Sequence, residues 1–292
     1  MSTLVALFPS YLRQCLERKS RWFPVALLLS ILSAVPATAA QVVTISGTGA
    51  SLMSIRLLAD AFMKANPQVR VEVLPILGTG GSIRAVIAGK LDIGVGSRPL
   101  KDEERNAGVA AVLYARVPFV FGVHRDVKAD GITLREVVDI YAGRKTTWDD
   151  GSPIRLILRP EGESDVDVLR AISKDMAAAV NAAMQRVGMF YAMNDHECAS
   201  TINVTPGAFG ALTLPMATQE ERSIRVLPLD GVIPTRKSLA DGTYPHQKEF
   251  IFITGKASSD AAMRFIGYAR SRKGAAILSR AGLVPVRVDK GR

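Results

Sequence analysis

Cysteine, histidine and aromatic residues are all scarce in this chain. Its 292 residues include 2 cysteines, 3 histidines and 6% aromatic side chains. One cysteine, Cys15, falls in an N-terminal stretch expected to be removed, which leaves Cys198 alone and excludes an internal disulfide. The fold must then rest on its core, and the 252 residues beyond position 40 are enough to build one. His124, His196 and His246 share no metal-ligand spacing. The tetrad Asp195-His196-Glu197-Cys198 gathers ligand-type side chains, but neighbours on a helix point in different directions. No metal and no cofactor are expected. No lysine- or arginine-rich block is interleaved with aromatics, so a nucleic-acid partner is not expected either.

Catalytic signatures are missing too. There is no G-x-S-x-G, and GTGASL and GTGGSI each lack the third glycine of the dinucleotide fingerprint. Gly89-Lys90 is followed by Leu91, and no glycine stands five places before Gly89, which excludes the phosphate loop. The reading is of a protein that is not an enzyme.

Long apolar runs are absent beyond the N-terminus. There, Arg18, Lys19 and Arg21 precede WFPVALLLSILSAV, and Ala37-Thr38-Ala39 supplies a small-x-small cleavage pattern. The run from Trp22 to Val35 is about 14 residues, short of the roughly 20 that span a bilayer. Residues 1–40 therefore read as a cleaved signal peptide, which implies an exported, periplasmic protein. Setting aside Arg13, Arg18, Lys19, Arg21 and Glu17 leaves 33 basic against 26 acidic residues, a net charge of +7. That balance suits an anionic ligand.

What is present is an alternation of strands and helices. QVVTISGTG reads as a strand, and Leu52, Ile55, Leu58, Ala59 and Phe62 form a helical stripe ended by Asn66-Pro67. VRVEVLPI, SIRAVIAG and LDIGVGS continue as strand, helix and strand, the pattern of a parallel sheet flanked by helices. ARVPFVFGVHRD is an apolar strand suited to crossing between lobes. IRLILRP is another strand, and its end delivers Arg159. One long helix is expected from Ser164 to about Met184, and another from about Ser259 through Leu278.

SGTGAS (46–51), LGTGGS (77–82) and LRPEGES (158–164) each set glycine or hydroxyl residues where a strand meets a helix. In open parallel sheets, strand carboxyl ends face the ligand crevice, and helix N-termini there offer unpaired N–H groups to an anion. Each segment alone is equally an ordinary helix cap.

Taken in order, GTGAS, GTGGSIRAVIAGKLDIGVGSRPL, LREVVDIYAGRKTTWDDG, the strand end at Arg159, PGAFG and FIGYARSRKGAAILSRAGLVPV resemble the periplasmic phosphate-binding proteins of phosphate ABC transporters. The resemblance implies an α/β, two-lobed fold of the type II periplasmic-binding class. Each lobe is then a mainly parallel sheet flanked by helices, with the ligand cleft between lobes. The lobes are expected as 41–122 plus 227–292, and 123–226. The family's contacts map to Ser51 and Leu52 in the first loop, Thr79 with Gly80 and Gly81 in the second, Ser97 followed by Arg98 after the third strand, and Arg159 and Ser164 in the fourth. The implied partners are a small, phosphate-like anion and an ABC transporter permease in the inner membrane, with the protein a monomer. An alternative within the same fold is a ligand sensor that docks on a membrane receptor and binds a solute other than phosphate.

The fourth segment departs from the family. Where that family has hydroxyl donors this chain has Glu163, Ser164 and Asp165, and Glu161 replaces an aspartate expected to orient Arg159. Two arrangements are open. Ser164 can be the N-cap with Asp167 as its N3 partner, Glu163 and Asp165 facing solvent and complementing the helix dipole. Otherwise the two acids line the cleft, where each would oppose a bound dianion at a cost of several kcal/mol.

Overall fold

The structure is a computed structural model that describes residues 40–219 and 222–286. The expected leader, apart from Ala40, lies outside these residues. In chain order the elements of the first part are β1 (Gln41–Gly47), α1 (Gly49–Ala65), β2 (Val69–Val73), α2 (Gly78–Ile87), β3 (Ile93–Gly96), α3 (Asp102–Asn106) and β4 (Ala110–Val123). The middle comprises α4 (Leu134–Ala142), β5 (Arg155–Leu158), α5 (Ser164–Ile172), α6 (Lys174–Gln185), β6 (Phe190–Tyr191), α7 (Asp195–Val204), β7 (Ala208–Thr213), α8 (Leu214–Ala217) and β8 (Arg225–Val226). The last part comprises α9 (Arg236–Ala240), β9 (Gln247–Thr254), α10 (Asp260–Ala269), α11 (Arg272–Arg280) and β10 (Val284–Pro285). Among the described residues, no helix is long and apolar enough to cross a membrane.

The strands run in the order β2-β1-β3-β9-β4-β7-β5-β6. β1 is parallel to β2 and β3, and β5 is parallel to β6 and β7, while β9 and β4 run antiparallel to their neighbours. β4 belongs to both halves: Ala110–Pro118 pairs with β9, and Phe119–Val123 pairs with β7. This is the crossing strand anticipated from its apolar sequence.

Alternation along these strands builds a core on each face of each half. Phe250 and Phe252 of β9 join Val43, Ile45, Ile55, Phe62 and Phe265, while Ile251 and Ile253 turn the other way to meet Ile83, Val86 and Leu91. Within β4, Phe119, Phe121 and Val123 face the layer containing Val166, Leu169 and Met176, and Val120 faces Cys198, Ile202 and Met216. Leu227, Leu229 and Tyr244 also pack in the second half, so the chain returns to the first half later than position 227.

Two expected helices are interrupted. Ser173 is extended, at φ −163° and ψ 166°, and its side chain accepts the Met176 amide, ending α5 and starting α6. Ser271 accepts the Gly274 amide in the same way between α10 and α11. Each serine offers the backbone a cap that competes with continued helix.

Candidate functional site

The site lies where strand ends of both halves meet. β1 ends at Gly47, and the chain must approach β3 closely there: a Cβ on Gly47 would stand 1.9 Å from the Val95 carbonyl oxygen. This contact lets the Thr48 amide donate to Val95 O at 3.0 Å and aims the start of α1 into the crevice. β3 ends just before Ser97, whose amide donates to the Thr79 hydroxyl of α2 at 3.1 Å. From the second half, β5 delivers Arg159, and the first turn of α5 carries Ser164 and Asp165.

Of the expected contacts, Thr79, Ser97, Arg159 and Ser164 are gathered in the crevice. The Ser97 and Ser164 hydroxyls join across it at 2.7 Å. Ser51 and Leu52 are buried in the first turn of α1, where the Ser51 hydroxyl donates to the Thr48 carbonyl at 2.9 Å. Gly80 and Gly81 lie in the first turn of α2. A Cβ on Gly80 would meet the Arg84 guanidinium at 3.4 Å, and one on Gly81 would meet Leu77 at 3.1 Å. Gly78 and Gly49 face the opposite half: a Cβ on Gly78, at φ +67°, would stand 3.6 Å from Glu163 Oε1, and one on Gly49 would stand 3.5 Å from Asp195 Oδ2. Arg98 is not a free cation, because both of its terminal nitrogens are held by Glu104, at 2.9 and 2.7 Å.

The acids of the fourth segment line the crevice. Ser164 is not the N-cap; that position is Glu163, and the Ser164 hydroxyl is spent on Ser97. Asp165 Oδ2 accepts from Arg159 Nη1 at 2.7 Å, and its other oxygen accepts from Lys248. Glu163 accepts from Arg159 Nη2 at 2.9 Å. Glu161 does not orient Arg159; it forms a surface pair with Arg170 at 2.6 and 2.8 Å.

Two participants, Lys248 and Asp195, were not expected as site residues. Lys248, near the start of β9, contacts Asp165 and also reaches Asp195 Oδ1 at 3.5 Å. Asp195, at the first position of α7, extends its carboxylate across the crevice and accepts the Ala50 amide at 3.1 Å, with the Thr48 hydroxyl at 3.5 Å. Arg159 Nη1 lies 3.5 Å from Asp195 Oδ1. The side chains of Arg159, Lys248, Asp165 and Asp195 are each exposed by 2% or less, and that of Glu163 by 29%. Two cations thus face two buried carboxylates and a third at the rim.

Burial of each ion costs several kcal/mol, which only close pairing offsets. Burial alone would raise the Asp195 pKa, but Lys248, Arg159 and the Ala50 amide overcome it and hold the pKa at about 2. For Asp165 burial wins, with Asp195 repelling it, against the pull of Lys248 and Arg159; its pKa lies above the ordinary value. Glu163 is raised chiefly by burial despite Arg159. Lys248 stays a cation because Asp165 and Asp195 outweigh its desolvation. The cavity that Arg159 lines, beside Tyr141 and Leu169, measures about 10 Å³, the size of one water at most. Among the described residues no cluster of ligand-type side chains could hold a metal. Of the tetrad at 195–198, Asp195 enters the crevice, while burial pushes the Cys198 thiol up to about 12.

Comparison with known proteins places this geometry in a family. A model described as the PBP superfamily domain matches residues 34–273. The phosphate-binding protein PstS of Bacillus subtilis is 25% identical over 251 residues, 83% of this chain and 80% of that protein. Phosphate-binding protein PstS 2 of Streptococcus agalactiae is 31% identical over 108 residues, and the chain spans only 36% of that relative's length. Among solved structures, a substrate-binding protein assigned to a phosphate ABC transporter of Clostridium perfringens, determined with bound phosphate, superposes with a TM-score of 0.75. It shares 23% identity, over 85% of this chain and all of that one. With its crossing strand, paired half-sheets and convergent strand ends, the chain belongs to the PBP superfamily, in the type II fold of the periplasmic binding proteins, and is similar to the PstS proteins within it.

Proposed function

We propose that the protein is exported to the periplasm, captures phosphate or a similar tetrahedral oxyanion between its two lobes and presents it to an ABC permease. It acts as a monomer and performs no covalent chemistry. Closure of the lobes on the solute is the signal that the permease reads. The observation that carries this reading is the convergence on one crevice of the α1 N-terminus, the Thr79, Ser97 and Ser164 hydroxyls and the Arg159 guanidinium. These are donors suited to oxygens of a small anion: backbone N–H at the positive end of a helix, hydroxyls and a forked cation. The printed names of the relatives point to the same ligand class.

Calorimetric titration of the purified, solute-stripped protein with phosphate at neutral pH tests the proposal. Micromolar or tighter binding, lost in Arg159→Ala, supports it; heats no larger than dilution with phosphate and with sulfate would remove it.

One observation favours a second reading. The charges of Arg159 and Lys248 are already matched by Asp165 and Asp195, with Glu163 at the rim. A solute bearing an amine or several hydroxyls would find acceptors there, and the protein would then serve as a sensor docking on a membrane receptor. A thermal-shift screen against amino acids and polyols separates the two ligand classes.

A further inference from the structure

Asp195 uses the groups that the proposed function assigns to the solute. Its Oδ2 takes the Ala50 amide at the start of α1, with Thr48 Oγ1 beside it, and its Oδ1 faces Lys248 and Arg159 at 3.5 Å each. The carboxylate is carried by the second half, beside Arg159 of that half, and held by Ala50, Thr48 and Lys248 of the first, so it bridges the crevice as a bound oxyanion would. Backbone N–H groups at a helix start favour any oxyanion, whether a ligand or a side chain.

We propose that Asp195 is a built-in competitor for the solute seat: its carboxylate closes the crevice on itself, and an anion enters only by displacing it. The inference rests on the reading of the crevice as a solute site. It is supported by a second observation at the cluster. Arg159 Nε is buried and has no hydrogen-bond partner, although both terminal nitrogens of the same guanidinium are engaged. The self-closed crevice is therefore one acceptor short. A carboxylate brings two oxygens, whereas a tetrahedral oxyanion brings at least three. Displacement then favours tetrahedral oxyanions over planar monocarboxylates and halides, which makes Asp195 a specificity residue as well as a latch. The competitor is present at all ordinary pH values, because Lys248 from β9, Arg159 from β5 and the Ala50 amide outweigh its burial and the repulsion of Asp165 from α5 and leave it ionised.

Hydrogen exchange and calorimetry on the wild type, Asp195→Ala and Asp195→Asn decide the matter. The asparagine keeps the shape of the side chain and serves if the alanine variant fails to fold. Without solute, the peptide covering residues 46–57 should be protected in the wild type and exchange about tenfold or more faster in Asp195→Ala, with phosphate restoring protection. Phosphate should bind both variants about tenfold or more tightly than the wild type, and acetate should bind only the variants. Equal exchange in all three proteins, or weaker phosphate binding in the variants, overturns the proposal. If the exchange differs as expected but phosphate binds none of the three proteins, the phosphate reading fails while Asp195 remains the occupant of the seat.

Discussion

Arg159 and Lys248 meet on one carboxylate, that of Asp165, which lies between them with no exposed surface of its own. Lys248 comes from the strand that returns late in the chain and Arg159 from the end of β5, so this single acid ties the two halves together. The stability of the closed form depends on that shared anion and on Asp195 beside it.

Removal of one partner from such a cluster leaves an uncompensated buried charge. Lys248→Met should lower the unfolding free energy by about 3–5 kcal/mol, measured by urea denaturation at neutral pH. A loss below about 1 kcal/mol would mean that water reaches the cluster and screens it.

The acid limb of the stability curve should carry the signature of Asp195. Its pKa is depressed in the folded protein, to about 2 from an ordinary 3.8. Its contribution is therefore fully present above the unfolded value, near pH 4, and is lost as pH falls through the folded value, near 2. The stability difference between the wild type and Asp195→Asn should be constant from pH 5 to 7, roughly, and shrink below about pH 4. Denaturation at a series of pH values reads this directly, and a difference that grows on acidification would refute the assignment.

Arg98 offers a control for the site. Its guanidinium is spent on Glu104, so Arg98→Ala should leave the affinity for phosphate within about twofold of wild type while costing about 1 kcal/mol of stability. Calorimetry of this variant beside Arg159→Ala would show whether the two arginines are interchangeable. A large affinity loss in Arg98→Ala would return this residue to the crevice.

Gly47 is a position where backbone comes close to backbone. A methyl group 1.9 Å from Val95 O must push β1 and β3 apart, so Gly47→Ala should destabilise the fold by more than about 2 kcal/mol and release the Thr48 amide. Thermal unfolding checks the first effect and amide exchange the second.

Much of the fold was legible because periodicity reports which face is buried. The stripe Leu52, Ile55, Leu58, Phe62 and the apolar run of β4 each read out one geometry. Ser173 and Ser271 escaped because the apolar spacing continues through them, while the break is made by a local side-chain cap. In the site, Thr79, Ser97, Arg159 and Ser164 stand at strand and helix ends, where a ligand crevice is expected. Lys248 was hidden by its type, although its position was informative: it has the parity of Phe250 and Phe252, whose side chains face inward. Asp195 had no such signal, since its role depends on the distance across two halves that meet only in three dimensions. Arg98 was expected as a ligand contact, but its guanidinium is taken by Glu104, six residues on in a short helix that turns back on it.

The pairing of β9 also sets an order of assembly. β1, β2 and β3 are made first, but β9, which joins β3 to β4, comes only after the whole intervening half. A chain emerging from its N-terminus can complete β5, β6 and β7 while the earlier strands still lack their central neighbour. The first half to be synthesised is then the last to become stable. Pulsed hydrogen exchange during refolding should show β5 and β7 protected before β1 and β3.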